Sequence, residues 1–157
     1  TTALANVVAP TTLTMPCGRY YLTAISGTSS ATLHATGHAA VFVAGDVDVS
    51  TLIVTLDPGA SLDLFVDGDL HPYATWQLGD PARPSALRIY VGGGTTIVLP
   101  TGSWLSGLLT APNATASSST PITIHGAIEP RSLDASSTFR MHEDLAKAGL
   151  AGTCGMP

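Results

Sequence analysis

The sequence predicts an all-β chain: a right-handed parallel β-helix, or solenoid, of about five or six coils with a short C-terminal helix. Three observations carry that reading. Val41-Phe42-Val43-Ala44-Gly45-Asp46-Val47 aligns with Leu64-Phe65-Val66-Asp67-Gly68-Asp69-Leu70 at an offset of 23 residues, and Ile89-Tyr90-Val91-Gly92-Gly93-Gly94 follows 25 further on. Short β-branched runs alternate with Gly, Pro, Asp and Asn, which marks strands and turns. Helical periodicity is absent until the end of the chain. A β-sandwich is the alternative, but it calls for antiparallel hairpins with Asn-Gly or Asp-Gly turns. Gly45-Asp46 and Gly68-Asp69 recur at one phase, which suits stacked coils better.

The elements follow in order. Residues 1–16 are mildly apolar and strand-like, through Leu4, Val7, Val8 and Leu13, and read as an N-terminal arm able to lie along the rod or on a neighbour. Residues 17–138 form the solenoid. Its second strand per coil shows in Leu52-Ile53-Val54-Thr55-Leu56 and Thr96-Ile97-Val98-Leu99, and the 23-residue offset also carries Leu33 to Leu56. Weaker copies appear at Leu108-Leu109-Thr110-Ala111-Pro112 and Ala127-Ile128-Glu129-Pro130, each placed 19 residues on. Residues 139–157 read as a capping helix and tail. Ser137 or Thr138 caps a helix from Phe139 to about Ala148, and Gly149 stops it. Such a helix would close a solenoid end against edge pairing.

Alternation assigns the faces. Leu62, Leu64 and Val66 point inward, as do Leu87, Ile89 and Val91, because Asp63 and Arg88 cannot. Asp63 and Arg88 then become neighbours on adjacent coils. Phe42, Phe65 and Tyr90 point outward one above another, and Leu109 and Ile128 are expected to continue that column. A contiguous exposed apolar stripe is rare on a monomer. It is either covered by the chain's own arm or helix, or it docks another subunit or ligand.

Composition bounds the function. Charged residues are 11% of the 157, and Lys147 is the only lysine; ordinary domains carry about 25% charge, so the surface relies on Thr, Ser, Gly and Asn. A net charge of −5 leaves no basic footprint for nucleic acid. No apolar run reaches the roughly 18 residues of a membrane span. The opening Thr1-Thr2-Ala3-Leu4 has no basic flank before an apolar core and does not read as a signal peptide; it reads as a mature end or a cut from something longer. Cys17 and Cys154 lie near opposite ends without metal-type spacing. A disulfide between them is expected, against the alternative of two buried thiols. It would add about 4–5 kcal/mol in the chain-entropy model and imply an exported, extracellular protein.

Catalytic patterns are incomplete. His142-Glu143-Asp144-Leu145-Ala146 begins like HExxH, but Ala146 stands where the second His belongs. There is no GxSxG elbow, and Gly92-Gly93-Gly94 precedes Thr95 with no lysine in place. His34, His38, His71, His125 and His142 are scattered. Asn113-Ala114-Thr115 has the glycosylation pattern and reads as a turn. Asp46 and Asp48 fall over Asp69 and His71, with Asp67 alongside. Such stacked carboxylates are either turn caps or ligands for calcium at Asp46, Asp67 and Asp69. A carbohydrate-active β-helix would use them as acid and base.

The run Gly107-Leu108-Leu109-Thr110-Ala111-Pro112-Asn113-Ala114, then Gly126-Ala127-Ile128, then Phe139-Arg140-Met141-His142-Glu143-Asp144-Leu145, resembles the end of an uncharacterised bacterial surface β-helix domain. That domain occurs in PilX-type pilin-associated proteins and in myxobacterial secreted or lipid-anchored proteins. Pro16-Cys17-Gly18-Arg19-Tyr20 and the Phe-Val-x-Gly-Asp repeats are similar to it as well. Leu109-Thr110 stands where the family has a Tyr-Ala-like pair, and His142-Glu143-Asp144 where it has His-Tyr-Asp. The resemblance implies a right-handed β-helix in a cell-surface setting with no established activity. Bactofilins, polymer-forming β-helical scaffolds, are similar in architecture only.

The expected function is therefore non-enzymatic: an extracellular structural or adhesion module of a secreted bacterial protein, whose partners are itself or other surface proteins. A glycan- or surface-ligand-binding module is the alternative. Ice binding needs a regular Thr-x-Thr array, and Thr12-Leu13-Thr14 lies outside the main repeats. No cofactor is expected beyond the calcium already named.

Overall fold

The computed structural model describes residues 2–3 and 6–142. The chain winds through β1 (Thr2–Ala3), β2 (Val7–Val8), β3 (Thr11–Met15), β4 (Gly18–Leu22), β5 (Ile25–Ala35), β6 (His38–Val43) and β7 (Val47–Leu56). It continues through β8 (Ser61–Val66) and β9 (Thr75–Gly79), a 3-10 turn at Pro84–Ala86, β10 (Leu87–Val91), β11 (Ile97–Val98), β12 (Trp104–Ser118), β13 (Ile122–Ala135) and β14 (Phe139–His142). Every strand pairing is parallel. Parallel neighbours cannot be joined by tight hairpins, so each pair is one circuit of the chain apart. The result is a parallel β-solenoid of about six turns.

Each circuit visits three faces. The first stacks β1, β4, β6, β8, β10 and the middles of β12 and β13. The second stacks β2 and the beginnings of β5 and β7, then, further down, β11 and the ends of β12 and β13. The third stacks β3, the ends of β5 and β7, β9, the beginnings of β12 and β13, and β14. Long strands bend at corners, where the register slips between Gly27 and Ser30 and between Ala111 and Thr115.

Alternate residues of all three faces fill the interior. On the third face Leu33, Val54, Leu78, Leu105 and Ile124 form one continuous buried column. No single circuit has a partner for its inner face, so the column exists only through stacking. Leu33 pairs with Val54 rather than Leu56, because this corner is shorter than the 23-residue repeat of the first face.

The described part of the N-terminal arm lies on its own rod, where β1, β2 and β3 form the first rung, paired to β4 and β5. One expectation is corrected. The expected helix is not seen; its first four residues are β14, with Phe139 over Ile122 and Met141 over Ile124. Phe139-Arg140-Met141-His142 alternates apolar and polar, and the open parallel edge of β13 both pairs its backbone groups and stacks Phe139 and Met141 on the inner column. Thr138 does not cap a helix; its carbonyl accepts from the Ile122 N–H at 3.2 Å. The rest of the expected helix, through Ala148 and Gly149, lies outside the described residues.

Candidate functional site: an aromatic ladder and its groove

The first face carries the feature that distinguishes this rod. Tyr21, Phe42, Phe65 and Tyr90 occupy one outward register position on β4, β6, β8 and β10. Their rings stack with centroids 5.0, 4.8 and 4.9 Å apart and planes within 13° of parallel. In-register parallel strands impose this spacing, since it is the strand separation itself. Phe42, Phe65 and Tyr90 are half-buried, and Tyr21 at the top of the stack is exposed at 43%.

The expected column was right for Phe42, Phe65 and Tyr90 and wrong below them. Tyr90 pairs with Thr110, and Thr110 with Glu129. Leu109 pairs with Ile89 and is fully buried, and Ile128 follows it on the inner side, packed against the core. The step from Ile89 to its partner is 20 residues, not 19, and a slip of one residue exchanges the inner and outer faces. The outer column therefore ends in a polar pair, with the Thr110 hydroxyl donating to Glu129 Oε2 at 3.2 Å. Tyr21 was missed because Arg19-Tyr20-Tyr21-Leu22 lacks the Gly-Asp tail that marks the other rungs. Only the register shows which tyrosine points out; the other, Tyr20, donates its hydroxyl to the Pro16 carbonyl at 2.9 Å.

Beside the ladder runs an apolar groove of about 730 Å³. Ring edges form one wall. The small residues of the next corner, Thr23, Ala44, Asp67, Gly92 and Pro112, form the other side. Two residues back along the strand, Arg88 clasps Asp63 through two bonds of 2.5 and 2.7 Å. This half-exposed pair, anticipated from the repeat, fixes register more than it stabilises; such pairs contribute about 0–1 kcal/mol.

The acidic corner is built from caps. Asp46 Oδ1 accepts the Asp69 N–H at 2.8 Å. Asp69 in turn accepts the Thr95 N–H at 3.1 Å and the Thr95 hydroxyl at 2.5 Å. Asp48 lies 3.7 Å from His71. Asp67 lines the groove instead. Asp46 and Asp69 thus act as turn caps, and among the described residues no three His, Cys, Asp or Glu side chains converge to hold a metal ion.

The Thr95 bonds hold the Asp69 carboxyl below its ordinary value of 3.8, with a smaller contribution from the charge of His71. A depressed carboxylate stabilises the fold above its unfolded pKa and loses that contribution as pH falls through the folded value. Thr95→Val is therefore expected to lower Tm at pH 7 and to narrow its gap to wild type below about pH 4. Melting curves across that range check it; a gap independent of pH would show that Thr95 acts through packing alone.

Cys17 is exposed at the corner between the third and first faces, where its sulfur accepts the His38 N–H at 3.3 Å. Cys154 lies outside the described residues, and with it the expected disulfide. No helix among the described residues is long and apolar enough to cross a membrane.

The rod and its stacked surface define a parallel β-solenoid protein that presents an apolar groove. The chain belongs to the DUF7305 family, a domain of unknown function, whose model matches residues 2–149. No curated protein and no solved structure matches it.

Proposed function

We propose that this protein is a non-enzymatic structural and adhesion module of a bacterial cell surface, and that the ladder groove is where a second copy of the chain docks. The observation that supports this is the groove itself. It runs along the rod across the ladder rungs, nearly without polar lining, and a rod surface otherwise rich in Thr and Ser has no folding reason to expose it. Lined by successive rungs along the axis, it can take an extended segment laid along the rod, a mode in which apolar segments enter grooves. In this reading the coil is right-handed, the hand parallel crossovers adopt. Cys17 and Cys154 are bonded, as export would allow. At the last described rung Leu133 and Met141 remain 48% and 49% exposed although Ala116 and Ile124 above them are buried, an apolar end that a further partner could also cover.

Glycan binding is the second reading. Sugars stack on ring faces, and three ring–ring contacts already occupy most of those faces. Only the outer faces of Tyr21 and Tyr90 are left for it.

Phe65→Gln tests the proposal, because it interrupts the ladder at its centre. It forfeits two ring pairs, about 1–3 kcal/mol, so the chain stays folded. Sedimentation velocity and negative-stain microscopy are expected to show concentration-dependent assembly in the wild type and its loss in the variant. Assembly unchanged by Phe65→Gln would remove the groove from the interface. A chain monomeric at high concentration that binds arrayed glycans would favour the second reading.

A further inference from the structure

The five histidines divide by their partners. His34 Nε2 meets Asp57 at 3.0 Å, His38 Nδ1 meets Ser61 at 2.8 Å, and His71 Nδ1 lies 3.7 Å from Asp48. Each therefore has one ring nitrogen engaged or balanced by a carboxylate or hydroxyl. His125 and His142 differ. They are register partners on β13 and β14, the last two rungs of the third face. Their rings lie 4.9 Å apart and 14° from parallel. Among the described residues neither ring has a hydrogen-bonding or ionic partner; each meets only the other ring. Both are accessible, His125 half-buried and His142 exposed.

We propose that His125 and His142 form a two-imidazole site for a borderline divalent transition ion, of the zinc, nickel or copper class, which clips the final strand to the rod. Neutral imidazole is the ligand such ions prefer, and hard oxygen-seeking ions such as magnesium and calcium do not share that preference. Zinc–nitrogen bonds are about 2.0–2.1 Å long, so two ligating nitrogens sit within about twice that length of each other. The in-plane lone pairs of stacked rings run parallel, so each ring must turn out of the stack about its side-chain torsions until they converge, which two accessible side chains one strand spacing apart can do without moving the backbone. The fixed register supplies what two free surface histidines lack, because both imidazoles are already side by side. With two protein ligands the ion keeps open positions for water or for a donor from a partner. Binding is then in the micromolar range and not the tighter range of a closed structural centre. The consequence for the fold is local: β14 has a strand on one side only among the described residues, and an ion shared with β13 ties down its last residue.

The test uses the whole chain and the chloride salts of zinc and nickel in a buffer that does not chelate. Calorimetric titration is expected to show one site of micromolar affinity for each ion and no heat with magnesium. His125→Gln and His142→Gln should each abolish it, while His34→Gln and His71→Gln should leave it within about twofold; none of these removes a buried side chain. Hydrogen exchange over Phe139–His142 should slow when metal is present, in wild type only. An isotherm that survives both His125→Gln and His142→Gln would assign binding elsewhere, the cysteines included, and overturn the proposal. So would the absence of heat with either ion in the wild type. Binding without slower exchange in β14 would overturn the clip.

Discussion

Trp76→Ala is expected to lower stability by about 3–5 kcal/mol, the range for deleting a fully buried large aromatic side chain. Trp76 begins the inward series of β9 and is completely buried. It stacks under Leu52, and its backbone N–H donates to the Ser103 hydroxyl at 2.9 Å on the rung below. Its indole N–H reaches the Pro72 carbonyl at 3.3 Å. The column around it runs Ala31, Leu52, Trp76 and then the small Ser103, so one large side chain fills space that its neighbours leave. Stacked rungs are tied above and below and collapse poorly into a void. Calorimetry should show Tm falling by roughly 10 °C or more for a chain of this size. A fall of only a few degrees would mean that the coil contracts around the missing indole.

Gly68→Ala should cost about 2–3 kcal/mol, as overpacking does. Gly45, Gly68 and Gly93 stack at the corner beside the groove, joined by Gly68 N–H to Gly45 O at 3.3 Å and Gly93 N–H to Gly68 O at 3.0 Å. A Cβ on Gly68 would stand 2.7 Å from the Gly45 carbonyl carbon and also meet Asp46 Oδ1, the cap for Asp69. Backbone cannot yield as a side-chain tip does. Gly59 is the contrast: its φ of 81° demands a left-handed conformation, but nothing lies within 4 Å of an added Cβ. Gly59→Asn should therefore be close to neutral, since asparagine tolerates that region. Urea melts of the two variants check the pair, and equal losses would deny that close approach is what Gly68 provides.

The sequence made the stacked rungs legible wherever a phrase repeated nearly verbatim. Phe42, Phe65 and Tyr90 could be placed in one column because a Gly or Asp follows each at a fixed interval, and Asp63 with Arg88 came with them. Legibility failed where that punctuation stopped. Leu109 reads as outward from a 19-residue spacing, which holds between the last two copies but not between β10 and β12, where the offset is 20. Phe139 to His142 alternates over too few residues to separate strand from helix, and only the open edge of β13 decides between them. The groove could not be read at all. It depends on small residues from five different rungs sharing a corner, and no local pattern announces that. The pairing of His125 with His142 was equally hidden, since it rests on a 17-residue circuit, shorter than the 23-residue repeat that makes the upper rungs legible.

All the ladder hydrogen bonds of this rod run along its axis, between successive circuits. Tension drawn along that axis therefore loads them one rung at a time, like a zipper, and never all at once as in a sheet pulled in shear. A rung that parts releases a circuit of about 20 residues, or some 70 Å of slack at the reach of an extended chain, before the next is strained. Pulled end to end, the domain would behave as a compliant extensible tether; squeezed across its faces, as a stiff strut. A covalent link between its first and last circuits would switch the first behaviour off and leave the second.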